Sequence, residues 1–441
     1  MYGTSKVGAF RSKVARTLTQ RNFAGLARPA LRRADVMLRV TSGRFRPEID
    51  GLRFFAIIPV LFSHLFQQVL RRQNRLGFLD DIDSSGYNYF VNHLPGVLLF
   101  FAISGYILSY QITNAAREGY DWSKYGKYVL RRFKRIAPPY YILLLVTFIT
   151  VAVIGFKPSG GNHFEASQVP LLPSLIVSFF YSHWLVYDEW PRLFGGGWTL
   201  EIETQYYIIA PFLTLVYLRL RNKRTRIAIG ILTIALTSAI ASQYEVGNFW
   251  AGTIMKFFPY FFAGMLALEL QDDLKDAVKV VPRAMTDLLT VAAVFFYLFT
   301  QAPESGAGMH MFEYYVINIA CIMTMFIAVS IEGNVLRRIC VTRWVVIIGG
   351  ACYSIYLTHY QVIFLVMNFL YKHVVFEETY LAMIFYAAVA APIAILVGLA
   401  FYRLIERPFM VWGRNGRQAS LAPVSMSLGA ADPAHGQSPA A

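Results

Sequence analysis

Arg53 and His64 lie eleven residues apart in "RPEIDGLRFFAIIPVLFSHLF", residues 46–66, where the arginine opens an apolar run and the histidine is set inside it. On a helix, eleven steps of roughly 100° return to nearly the same azimuth, and a rise of 1.5 Å per residue separates the two side chains by about 16 Å. One rod then carries a cation at one end and, further along the same face, a base that titrates near neutrality. An ionisable side chain at membrane depth is costly and usually faces a cavity or a partner. The plainer alternative is a neutral His64 hydrogen-bonded to a neighbouring helix.

The elements that hold these residues are membrane helices. Of 441 residues, 56% are apolar, 16% aromatic and only 15% charged, the signature of a polytopic membrane protein. The net charge of +15 sits largely in short segments beside apolar runs, where it reads as topology and not as a nucleic-acid surface. Cys321, Cys340 and Cys352 lie in or beside apolar segments without metal-ligand spacing, so free thiols are expected, with no bound metal. No P-loop or dinucleotide fingerprint appears. Residues 1–46 carry eleven Lys or Arg against the single acid Asp35 and no apolar core, which reads as a disordered cytoplasmic arm touching anionic lipid, not a cleaved signal. The Ala-, Ser-, Gly- and Pro-rich tail, 413–441, reads as disordered too.

Ten segments have spanning length: 52–70, 94–113, 137–156, 199–219, 226–243, 250–270, 287–301, 313–331, 345–371 and 380–403. An eleventh, "LLPSLIVSFFYSHWLV" at 171–186, is short and bounded by proline. If it spanned, the five basic residues of "RLRNKRTR", 219–226, would fall outside, against the positive-inside bias. The expected fold is therefore all-α with ten transmembrane helices and both termini in the cytoplasm. Residues 47–412 form one membrane domain, and 157–197 an outer loop with an interfacial or re-entrant helix.

Six motifs, in order, resemble the acyltransferase 3 family of integral membrane acyltransferases: "RPEIDGLRFFAIIPVLFSH", "GVLLFFAISGYIL" (96–108), "RRFKRIAPPYY" (131–141), "GGGWTLEIETQYY" (195–207), "GGACYSIYLTHYQV" (349–362) and "ERPF" (406–409). The resemblance covers about 46–409. Two departures stand out: Leu98 occupies a position where relatives often have aspartate, and "WTLEIETQYY" places Glu203 at the family glutamate, with Thr204 after it and Glu201 extra.

What the resemblance implies is acyl transfer, best known for O-acylation of envelope polysaccharides. A thioester-to-hydroxyl transfer needs a base, donors for the oxyanion and cations for the donor's phosphates. His64 is the natural base, and Glu203 could orient it; a helix-start acid favoured by the dipole is the alternative for Glu203. Arg132 and Arg135, three apart on one helix face, offer phosphate-matching forks, with plain topological charge as their alternative. Arg53 joins them on the donor side, a pantetheine arm's reach from His64. His359, Trp198, Ser104 and Tyr106, in the same motifs, are expected along the cavity, His359 otherwise being a hydrogen-bonded structural histidine.

The implied activity is an O-acetyltransferase of the bacterial inner membrane. It uses acyl-CoA, chiefly acetyl-CoA, as co-substrate with no permanent cofactor, and its acceptor is a glycan or lipid-linked saccharide. Membrane lipids and a separate extracytoplasmic protein are the implied partners, and nucleic acid is not. Two alternatives stay open: a small-molecule, macrolide-like acceptor, and a proton-coupled transporter using Arg53, His64 and Glu203.

Overall fold

A computed structural model describes residues 46–78, 92–155, 167–244, 248–300 and 308–412. The expected arm before residue 46, the tail from 413 and the first part of the outer segment, 156–166, lie outside the described residues. Among the described residues the regular structure is helical throughout.

Each of the ten apolar segments is occupied by helix. The first, α1 (Pro47–Arg75), starts on a proline, carries Glu48 and Asp50 in its first turn and Arg72 and Arg75 in its last, as the helix dipole favours. It packs against α2 (Leu94–Arg117), which runs the opposite way: Gly96 of α2 meets α1 at Ala56, while Arg46 donates to the Tyr106 hydroxyl at 2.5 Å. A Cβ on Gly96 would sit 2.3 Å from the Ala56 carbonyl oxygen, so only glycine allows this approach. α3 (Tyr125–Ile154) begins twelve residues before its apolar part and runs through Pro138 and Pro139, so Arg132 and Arg135 stand on the same rod as its membrane segment.

The outer segment contributes two short helices, α4 (Leu171–Phe179) and α5 (His183–Tyr187), followed by α6 (Gly197–Leu218). The buried Glu201 carboxylate of α6 accepts the backbone N–H groups of His183 and Trp184, both at 3.0 Å, and so pins the start of α5. The extra glutamate of this motif is thus a structural cap. α7 (Lys223–Ala241), α8 (Ile254–Ala277), α9 (Arg283–Phe299) and α10 (Gly308–Ser330) follow, with α8 buried almost continuously from Phe257 to Ala267. α2 and α8 also cross closely, where a Cβ on Gly264 would lie 1.9 Å from the Ala102 oxygen.

The segment read as one span at 345–371 is broken. After the short α11 (Val335–Cys340), α12 (Arg343–Gly350) and α13 (Cys352–Leu370) meet at a bend of 75°. Gly349, just before the break, is wedged against the Asp50 carbonyl of α1, where no larger residue fits. α14 (Thr379–Phe401) then leads through a π-helical turn, Tyr402–Glu406, into α15 (Arg407–Trp412). The three cysteines are buried free thiols.

Among the described residues, six helices are long and apolar enough to cross a membrane, or seven if the bent pair α12–α13 counts as one span. Of the other expected spans, α9 has only 17 residues, and α6 and α8 carry more polar side chains. In α6 those polar groups include Glu201 and Glu203, which face the protein interior.

Candidate active site

A cavity opens between α1, α2, α3, α6 and α13, and charged side chains gather on its wall. Arg53, Ser104, Arg132, Arg135, Glu203 and Tyr207 all line it, with Val97, Phe100, Phe101, Thr199 and Tyr356 among the apolar and neutral remainder. Glu203 is its electrostatic centre. Its Oε1 accepts from the Ser104 hydroxyl at 2.7 Å and the Tyr207 hydroxyl at 2.6 Å, and its charge acts on both Arg132 and Arg135.

The three arginines are held differently. Arg53 is buried and paired with Asp50 one turn earlier, a partner that the Asp-x-x-Arg spacing already signals. Arg132 donates to Gln111 and lies over the rings of Tyr128 and Tyr207, at 5.5 and 5.8 Å. Arg135 interacts electrostatically with Glu203 and with Glu406 of the "ERPF" motif, and its Nε is buried without a hydrogen-bond partner. A buried guanidinium N–H left unpaired is costly unless a ligand completes it. A guanidinium N–H matches the oxygen of an anionic group such as a phosphate.

His64 stands elsewhere. Its ring stacks on His93 at 5.0 Å, lies 5.3 Å from His359 and meets Tyr360 edge-on at 5.4 Å. The Nδ1 of His359 hydrogen-bonds the carbonyls of Tyr356 (2.7 Å) and Ile355 (3.1 Å), which fixes it as the protonated nitrogen. Its Nε2 and the His64 Nδ1 are buried and unpartnered.

The structure does not bring Glu203 to His64. Ser104, which holds Glu203, lies eleven residues along α2 from His93, which stacks on His64; that places the glutamate and the histidine about 16 Å apart along the helix axis. The same interval separates Arg53 from His64 on the antiparallel α1. Two helices therefore carry the same ruler, with arginines and Glu203 at one end and the histidines at the other. Of the four residues expected along the cavity, Ser104 lines it and three stand outside its wall. His359 flanks His64. Trp198 packs among Trp190, Phe257 and Phe101, and Tyr106 stacks on Phe326 while its hydroxyl donates to Gln271 at 2.6 Å.

Sequence reasoning missed Asp50, His93, Tyr207 and Glu406. His93 carried a signal of its own, a histidine just before the "PGVLLFF" helix start, but its closeness to His64 depends on how α1 and α2 pack.

Comparison with known proteins bears on the family. The model of the acyltransferase domain family matches residues 46–403. Among curated proteins the chain is similar to the O-acetyltransferase OatA of Staphylococcus aureus (strain NCTC 8325 / PS 47), 25% identical over 393 residues, covering 84% of this chain and 58% of that protein. It is also similar to a putative O-acetyltransferase of Staphylococcus aureus (strain MRSA252), 26% identical over 391 residues, with 83% and 57% covered. The chain thus spans a little over half the length of these relatives. No solved structure matches it.

Proposed function

The chain belongs to the acyltransferase 3 family, and from that premise we propose that it is a membrane O-acetyltransferase moving an acetyl group from acetyl-CoA to a hydroxyl of an envelope or exported glycan. The observation that carries this reading is the unpartnered Arg135 Nε in a cavity wall that also holds Arg53 and Arg132. In the ten-span arrangement with both termini in the cytoplasm of a bacterial inner membrane, these arginines face the compartment that holds acyl-CoA. They bind its phosphates, and Glu203 with Tyr207 holds the cluster in shape. The pantetheine arm then extends from the arginines toward His64, about 16 Å away.

His64 accepts the proton of the acceptor hydroxyl as its oxygen attacks the thioester carbonyl. The tetrahedral intermediate collapses, the C–S bond breaks, and the imidazolium returns the proton to the departing thiolate, leaving an ester and free CoA. His359, with Nδ1 tied to backbone carbonyls, offers its unprotonated Nε2 beside the transient imidazolium. The test is the envelope glycan itself, compared by mass spectrometry with and without this protein. Loss of acetyl esters on deletion, restored by the wild-type chain, is expected; an unchanged ester pattern would overturn the reading.

A further inference from the structure

Beyond His64, toward the end of α1 remote from the arginine-lined cavity, polar residues continue in register. His64, Gln68 and Arg72 recur every fourth residue on one face of α1, and Tyr360, Phe364 and Asn368 do the same on α13. The two rows meet. Tyr360 lies edge-on to His64, Gln68 reaches the Tyr360 hydroxyl at 3.5 Å, and Arg72 donates to the Gln68 side chain and the Asn368 side chain, each at 2.6 Å. The Arg72 guanidinium also lies 5.4 Å from the Tyr371 ring centre. His64, Arg72, Tyr360 and Asn368 are only partly buried, whereas Gln68 between them is buried beneath the Arg72 guanidinium.

Arg72 is the unusual member. The helix dipole favours a cation at this end, but it does not require the guanidinium to fold back toward His64. Every partner of that guanidinium is neutral: two carboxamide side chains, the Gln68 carbonyl and aromatic rings, with no ion pair among the described residues. Among the described residues, then, nothing compensates its charge, and the residue is only partly buried. In the proposed topology this is also the outer end of the first span, where the positive-inside bias disfavours arginine.

We propose that Arg72, Gln68 and Asn368 form an acceptor subsite for an anionic glycan, with the guanidinium binding a carboxylate or phosphate of the saccharide. Eight residues of helix set this charge about 12 Å from His64, so the acylated hydroxyl lies a short way along the saccharide from its negative group. The proposal rests on the transferase reading and deepens it by naming the acceptor class. The anion has two sources, an acidic sugar of the polymer or the pyrophosphate of a polyprenyl carrier.

The test uses the full chain in nanodiscs, as wild type, Arg72→Gln and Arg72→Lys. Binding of three probes is measured calorimetrically: an oligogalacturonate hexamer, neutral maltohexaose and a polyprenyl pyrophosphate. Acetyl-CoA binding is measured on the same preparations. The expected result is at least tenfold tighter binding of one anionic probe than of maltohexaose, abolished in Arg72→Gln and partly kept in Arg72→Lys, with acetyl-CoA affinity unchanged in both variants. Preference for the hexamer assigns the anion to the polymer, and preference for the pyrophosphate assigns it to the carrier. Equal binding of all three by the wild type, or a preference that survives Arg72→Gln, overturns the proposal. Failure of the wild type to bind acetyl-CoA would instead count against the transferase reading, whatever the glycan probes do.

Discussion

A guanidinium with one buried, unpaired N–H is rare in a folded protein, and Arg135 keeps one within electrostatic reach of Glu203 and Glu406. If phosphate completes it, Arg135→Ala and Arg132→Ala each remove charge-assisted contacts worth about 1.5–3 kcal/mol. The apparent KM for acetyl-CoA should then rise roughly ten- to a hundredfold in each. Steady-state kinetics on purified variants check this, and an unchanged KM in both returns the arginines to a topological role. Glu201 makes the opposite prediction. It serves two backbone N–H groups and no cavity, so Glu201→Ala leaves both donors unpaired at a cost on the order of 2–4 kcal/mol. The thermal midpoint should fall while the KM for acetyl-CoA stays put; an unaltered midpoint would show that α5 does not need its anchor.

At the scale of elements, the claim is that α1 works as a ruler. One alanine inserted after Ile58 leaves Arg53 in place, turns His64 by about 100° and lengthens the interval by about 1.5 Å. Transfer should cease in a variant that still inserts and accumulates normally, judged by membrane fractionation alongside the acetylation assay. Retained transfer would mean that the eleven-residue spacing is incidental. The helices themselves were legible because membrane helices announce themselves by apolar length: all ten segments proved helical, with ends displaced by a few residues. Two features escaped. The polar first half of α3 has no apolar signal, so the sequence puts Arg132 and Arg135 on this helix without revealing its start at Tyr125. The break between α12 and α13 falls inside an unbroken apolar run, and only the contact of Gly349 with α1 explains it.

For the whole molecule, the residue types of the site could be read from the chain, whereas their grouping could not. His64 and Arg53 were visible as ionisable groups in an apolar run, whereas Arg132, Arg135 and Glu203 stood out only through the motifs of the family resemblance. That Glu203 belongs with the arginines, and that His93 and His359 belong with His64, follows only from the antiparallel packing of α1 and α2 and the placement of α6 and α13 around them. On the proposed function the molecule has two ends about 16 Å apart, a cationic end for the acyl donor and a histidine end for the acceptor. Sided membrane vesicles test that claim most directly. Inside-out vesicles containing envelope glycan are supplied externally with acetyl-labelled acetyl-CoA, and label esterified to lumenal glycan is measured for wild type and His64→Ala at equal protein abundance. The account predicts lumenal label in the wild type and less than about a tenth of it in His64→Ala, a loss of at least roughly 1.4 kcal/mol in transition-state stabilisation. Equal labelling by the two proteins would contradict it.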